Sequence, residues 1–280
     1  MARCRGSSMA STNYSFKSFS DNDFYSEQNA DLVDMAEVGS GQRIIDLACG
    51  TGGVTKIIAD RLKDAKDSVV IGIDHSASAL KQAMEELNDR TNAAVEFVQS
   101  RMEDISDSVK ERADTVILCN AIHYIPDKDS LLTEIFNTLK PGGKLAFNTT
   151  FYEGAHPQET QTYYRKWMLK ATRALRKDFG LRPSKTNKVQ ARKQLTPEDY
   201  KELLERHGFK IIKQNISTVK FTRAGFLDIS TFSDFIEGTM PGVPFEKASA
   251  ALQKGVNQAF EEMKVEWIPR NWLDIVAVRV

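Results

Sequence analysis

The sequence predicts an α/β protein built on a parallel, doubly wound sheet. Three observations carry this. Short β-branched runs alternate with amphipathic stretches through the first half of the chain. Glycines cluster where a strand pattern gives way to a helix pattern. The 280 residues, 41% hydrophobic and 27% charged, have the composition of a globular chain of one or two domains.

The elements follow in order. Residues 1–24 are Ser-rich and free of acids until Asp21. They read as a flexible tail, with an organelle transit segment as the alternative. Arg3 and Arg5 without an apolar core exclude a secretory signal. Gln42 to Ala48 reads as a strand and Gly53 to Leu62 as a helix, with Val54, Ile57, Ile58 and Leu62 on one face. Ser68 to Asp74 is the next strand. Ala77 to Asp89 is helical, with Leu80, Ala83, Met84 and Leu87 in period. Ala94 to Gln99 and Ala113 to Cys119 are strands three and four. Lys128 to Leu139 is a helix stopped by Pro141-Gly142-Gly143, and Lys144 to Thr150 is strand five.

The second half is less regular. Thr162 to Phe179 is a basic amphipathic helix, and Leu181 to Lys193 is a polar loop. Thr196-Pro197-Glu198-Asp199 is a helix start with an N-cap Thr, an early Pro and acids in the first turn. That helix ends at His207-Gly208. Phe209 to Val219 alternates as a strand. Asp228 to Ile236 and Pro244 to Met263 read as helices, and Asn271 to Val280 as a closing strand.

Lys+Arg and Asp+Glu are both 38, so no basic excess points to nucleic acid, and none is expected as a partner. No apolar run is long enough to span a bilayer. Cys4, Cys49 and Cys119, odd in number and without CxxC spacing, argue against a disulfide framework and a zinc site. No metal is expected, and a reducing, cytoplasmic setting is.

The sharpest feature is the stretch Ile44-Ile45-Asp46-Leu47-Ala48-Cys49-Gly50-Thr51-Gly52-Gly53. A buried strand enters a glycine turn and a helix follows, presenting free N–H groups to a ligand. The next strand ends in Asp74, 21 residues after Gly53, where a carboxylate can accept both hydroxyls of a ribose. A dinucleotide fingerprint would need a third glycine at the position of Thr55. Asp46 beside the loop would also repel a pyrophosphate. S-adenosylmethionine, with an ammonium and a sulfonium, fits better, and a nicotinamide oxidoreductase is disfavoured.

DLACGTGG, GIDHS, VEFVQSRMED, CNAIHYIPD and LKPGGKL, in this order and spacing, resemble the class I S-adenosylmethionine-dependent methyltransferases over residues 25–150. The resemblance implies a Rossmann-like seven-stranded sheet whose last strand is antiparallel. It implies S-adenosyl-L-methionine as cofactor and S-adenosyl-L-homocysteine as product. Asp46, Ala48, Gly50 and Gly52 match the loop holding the methionine part. Asp74 matches the ribose acid, with His75 and Ser76 beside the adenosine. Met102 and Glu103 match the adenine contacts, although Arg101 stands where the family often has Asp. Asn120 and Ala121 match the loop near the reactive methyl. The plainer readings of Asp46 and Asp74 are capping and fold-stabilising acids.

His123, in the loop after strand four, is the candidate general base; a hydrogen-bonded loop histidine is its plainer reading. Two insertions, 151–195 and 221–270, form a helical cap on a core of 25–150, 196–220 and 271–280. Tyr25, Tyr152, Trp167 and Phe235 are the expected acceptor-binding residues, with Tyr14, Phe16 and Phe24 closing from the N-terminal side and core packing as the alternative. From Arg165 to Lys193 there are eleven Lys/Arg and one acid, Asp178. This is a solvated face, or a surface for an acidic substrate, an acidic carrier protein or a membrane.

The expected activity is methyl transfer to a small, partly apolar metabolite, at a carboxylate or hydroxyl oxygen. The insert around Phe232-Ser233-Asp234-Phe235-Ile236 is faintly similar to carboxylate methyltransferases. Nitrogen or carbon acceptors, and a non-catalytic binding or scaffold protein, are the alternatives.

Overall fold

Ile44 and Ile45 point to opposite faces of β1 (Arg43–Leu47), and both are fully buried. The strand is therefore covered on both sides, as a parallel sheet requires. The structure, a computed structural model, describes residues 14–65, 67–87, 94–184 and 194–280. β1 pairs in parallel with β2 (Val69–Asp74) and β4 (Ala113–Cys119). β2 pairs with β3 (Ala94–Gln99), and β4 with β5 (Leu139–Thr149). β7 (Trp267–Arg279) runs antiparallel between β5 and β6 (Phe209–Thr222), giving the order β3-β2-β1-β4-β5-β7-β6. The seven-stranded sheet with an antiparallel last strand is the one expected. Strand order reverses between β1 and β4, which opens a crevice at their carboxyl ends.

Helices cover both faces. After α1 (Lys17–Ser20), α2 (Asp23–Ala36) and α3 (Gly53–Arg61) pack Leu32, Val33 and Ile58 against Ile44, Val70 and Ile117. α4 (Ala77–Leu87) buries Leu80, Ala83 and Leu87, and α5 (Ile105–Ser108) is one turn. α6 (Lys128–Thr138) and α8 (Pro197–Arg206) cover Ile45, Val116 and Phe147 on the other face. The start of α8 is the capping box expected: Thr196 Oγ1 accepts from Asp199 N at 3.0 Å, and Asp199 accepts from Thr196 N at 2.8 Å.

The cap joins α7 (Gln158–Phe179), α9 (Arg223–Ile229), α10 (Ser233–Thr239) and α11 (Phe245–Met263). Tyr163, Trp167 and Ala171 of α7 are fully buried against α11. The Trp167 indole donates to Leu252 O at 2.9 Å. Lys166 and Lys170 both reach Glu262, and Lys254 pairs with Asp178. Part of the basic stretch is thus spent holding the two cap helices together. Lys185, Lys188, Arg192 and Lys193 lie outside the described residues, as do residues 1–13 and the end of the expected 77–89 helix.

Several expectations are corrected. Residues 14–24 are not a loose tail. Phe19 is 4% exposed, and Phe16, Phe19 and Phe24 pack into the cap with Tyr25 and Phe221. The aromatic spacing supplies enough apolar surface to order the segment. α7 begins at Gln158, four residues before the expected start. The expected 228–236 helix breaks into α9 and α10, because the Ser230 and Thr231 hydroxyls bond back to Phe226 O and Asp228 O, both at 2.7 Å. β7 starts at Trp267 rather than Asn271 and pairs with β6 out to Thr222, so the second insertion hangs from a long two-stranded ribbon. Among the described residues no helix is long and apolar enough to cross a membrane.

Gly255 marks a close approach of α11 to α7. A Cβ there would lie 2.8 Å from the Ala171 backbone N and Cβ. Gly255→Ala is expected to push α11 off α7 and destabilise the protein by roughly 1–3 kcal/mol. Thermal unfolding checks this; an unchanged midpoint would mean that the helices separate without cost.

Candidate active site

The crevice at the strand ends is a cleft of about 840 Å³, within the range that holds a cofactor-sized ligand. The turn after β1 forms its floor. Ala48, Gly50 and Gly52 all take left-handed conformations, with φ of 60°, 55° and 85°. Gly50 and Gly53 face open space where a Cβ would otherwise stand, so a ligand can approach their backbone. Gly52 serves packing instead: a Cβ there would meet Ala83 Cβ at 2.9 Å.

Asp74 ends β2 and ties this floor together. Its Oδ2 accepts from Gly50 N at 2.9 Å and its Oδ1 from Ser76 N at 2.8 Å. A carboxylate offers about four lone-pair sites, so capacity remains for a ligand's hydroxyls. His75 follows, exposed, with Nδ1 3.5 Å from Asp74. Ser100, Arg101, Met102 and Glu103 form the wall after β3, where Arg101 pairs with Glu103 at 3.4 Å. After β4, Asn120 takes φ 47° and lines the cleft. Its N–H donates to Asn148 Oδ1 at 2.8 Å, and its Oδ1 accepts from Thr150 N at 3.1 Å.

The opposite wall is aromatic. Tyr14, Phe16 and Tyr25 come from the N-terminal segment, Tyr124 from the turn after β4, and Phe232 and Asp234 from the start of α10. Ser233 N donates to Tyr14 O at 3.1 Å, and Phe16 meets Phe232 at 5.1 Å between centroids. The N-terminal segment is thereby fastened to the cap.

Of the residues expected at the site, Ala48, Gly50, Asp74, His75, Met102, Glu103, Asn120 and Tyr25 line this one cleft. Six others do not. Gly52 packs against α4. Asp46 is 1% exposed behind the turn and accepts from Thr55 Oγ1 at 2.6 Å. His123 is 7% exposed and stacks on Phe151 at 5.1 Å, with Nδ1 3.4 Å from Thr149 Oγ1. It is not among the residues lining the cleft, whereas Tyr124, 4.4 Å away between centroids, is. Tyr152 is buried in the core beside β5, Trp167 in the cap, and Phe235 stacks on Trp167 at 5.3 Å. Trp167 and Phe235 pack within the cap, and Tyr152 within the core, rather than in the cleft. Tyr124 was missed, although it directly follows His123 in CNAIHY.

The described part of the basic stretch does not reach the cleft wall. Among the described residues, no His, Cys, Asp or Glu cluster is arranged to hold a metal ion. Burial pushes the Cys49 and Cys119 thiols up, which makes both poor nucleophiles.

Comparison with known proteins gives the same outline. A family model described as a methyltransferase domain matches residues 39–208. A ubiquinone/menaquinone biosynthesis C-methyltransferase from Xylella fastidiosa is 36% identical over 130 residues, 45% of this chain and 50% of that protein. A trans-aconitate 2-methyltransferase from Variovorax paradoxus is 32% identical over 121 residues, 41% of each chain. The chain thus spans half or less of the length of these relatives. A phosphoethanolamine N-methyltransferase from Haemonchus contortus, solved with S-adenosyl-L-methionine, shares the fold. Its TM-score is 0.53 at 19% identity, over 94% of this chain and 56% of that one.

Burial raises the Asp46 carboxyl from 3.8 to about 7, against the Thr55 hydrogen bond and with the help of the Asp74 charge. Because the folded state holds this proton more tightly, the contribution to stability is full below pH 3.8 and lost as pH rises through about 7. Asp46→Asn keeps an acceptor for Thr55 and cannot ionise. It is expected to be more stable than wild type above neutrality, on the order of 2–4 kcal/mol, with the gain vanishing in acid. Thermal unfolding across pH checks this; a gain independent of pH would exclude titration of Asp46.

Proposed function

Because the chain belongs to the methyltransferase-domain family, we propose that it binds S-adenosylmethionine in this cleft and transfers the methyl group to a small, partly apolar acceptor, at oxygen. The observation that carries the reading is Asp74, whose carboxylate ends β2 while holding the open Gly50 turn. When bound, the cofactor supplies an activated methyl on a sulfonium, ready for in-line displacement.

The residues then divide the work by position. Gly50 and Gly53 let the ligand approach the backbone, and Asp74 accepts from the ribose hydroxyls through its remaining lone pairs. Met102 and Glu103 hold the adenine end, and Asn120 closes the methionine end. Phe16, Tyr25, Tyr124 and Phe232 surround the acceptor with aromatic surface and exclude water. Burial keeps the Tyr25 phenol protonated, so it donates a hydrogen bond and takes no proton.

Asp234 is the carboxylate of this aromatic wall, and it is exposed. An exposed carboxylate is a weak general base, so the acceptor best served is an oxygen that gives up its proton readily to solvent, as a phenol or enol does. A carbon acceptor is the second reading. The relative at 36% identity is a C-methyltransferase, and a carbon beside an ionised oxygen uses the same displacement.

Calorimetry with S-adenosylhomocysteine tests the reading. Wild type is expected to bind, and Asp74→Ala to bind more weakly by roughly 1–3 kcal/mol while remaining folded by circular dichroism. Labelled methyl transfer to panels of phenols, enols and carboxylic acids then identifies the acceptor. A folded wild type that binds neither cofactor nor product defeats the proposal.

A further inference from the structure

α7 buries one side and leaves the other to solvent. Tyr163, Trp167, Ala171, Ala174 and Leu175 pack inward. Arg165, Leu169, Arg173, Arg176 and Phe179 are exposed on the opposite face. They follow one another at intervals of four, four, three and three residues, which keeps them on one stripe. The stripe runs about 21 Å along the helix. It holds three guanidiniums and no acid. Of the two acids of α7, Glu159 precedes the stripe and Asp178 is taken by Lys254. Lys166 and Lys170 on the flank are taken by Glu262. Arg165 reaches only the Thr162 hydroxyl, at 3.4 Å, and the Arg173 and Arg176 side chains have no hydrogen bond or carboxylate partner among the described residues. Among these cations Leu169 is 52% exposed and Phe179 37%.

We propose that this outward face of α7 docks on an anionic phospholipid surface, with the three arginines on headgroup phosphates and Leu169 and Phe179 at the acyl boundary. Charge complementarity carries the choice. The guanidinium fork matches phosphate oxygens, and its weak hydration lowers the cost of leaving water. A basic face that also carries apolar side chains is the pattern of a helix lying in a membrane interface. Arginine stems cover apolar surface while their heads stay among the headgroups. A folded acidic protein needs roughly 800 Å² of matched surface on its partner, and one stripe with two apolar side chains offers little to match. Lipid headgroups conform to a lone helix.

The inner face of the same helix leads to the acceptor wall. Trp167 stacks on Phe235 at 5.3 Å between centroids, and Phe232, Ser233 and Asp234, just before Phe235 in the chain, line the cleft. Docking therefore places α10, and the wall it carries, one helix layer from the lipid. It uses no cleft residue, so it does not depend on the methyl-transfer reading.

Co-sedimentation of the full chain with phospholipid vesicles tests this. Wild type is expected to bind vesicles of phosphatidylcholine mixed with phosphatidylserine and not those of phosphatidylcholine alone, and to bind less tightly as salt is added. Arg173→Gln and Arg176→Gln are each expected to weaken binding roughly fivefold, and the double variant roughly 25-fold. Leu169→Ser is expected to weaken it several-fold at every salt concentration. Lys210→Gln removes the same charge from an exposed position at the start of β6, outside the cap, and is expected to bind like wild type. All these positions are exposed, and circular dichroism checks that the variants fold. Equal binding to both kinds of vesicle, or none to the mixed ones, overturns the proposal. So does wild-type binding by the double arginine variant or by Leu169→Ser, or a loss in Lys210→Gln as large as that in Arg173→Gln. Retention by soluble polyglutamate without vesicle binding assigns the face to an acidic protein and overturns it as well.

Discussion

The contact between Asp74 and the Gly50 amide sets the geometry of the whole cleft. It is made between the ends of β1 and β2, beside the crevice that opens where the strand order reverses between β1 and β4. A carboxylate tied to two backbone amides cannot swing, so its unused lone pairs point in a fixed direction. The glycine turn in turn cannot collapse into the space a ligand needs. Each partner keeps the other open, and Gly52 locks the following helix onto α4 so that the turn has a firm base.

The opposite wall depends on different physics. It is made of aromatic side chains from two distant stretches, brought together because both pack into the cap cluster. The cap hangs from the long β6–β7 ribbon and is stiffened by the close approach of α7 and α11. One half of the cleft is thus a backbone structure fixed by hydrogen bonds, and the other a side-chain structure fixed by packing.

The backbone half was legible in the sequence. Its strands have the β-branched composition, and its turn carries glycines whose conformations only a special backbone needs. The packing half was legible only in part. Tyr14, Phe16 and Tyr25 reach the cleft, but Tyr152, Trp167 and Phe235 face other helices, and composition does not distinguish the two fates. α2 escaped notice because Gln28 and Asn29 sit among its buried positions, where an amphipathic pattern would show apolar residues. His123 illustrates the limit of motif reading: its place in the chain lies beside the site, yet the ring turns back against Phe151. Asn148 and Asp274 are far apart in sequence, and the β5–β7 register makes them neighbours beneath Gln28 and Asn29 of α2.

The family match covers residues 39–208, while Tyr14, Phe16, Tyr25, Phe232 and Asp234 of the aromatic wall all lie outside it. A relative's name therefore speaks for the matched stretch alone, and these five residues, which face the cleft from outside it, carry no inherited label.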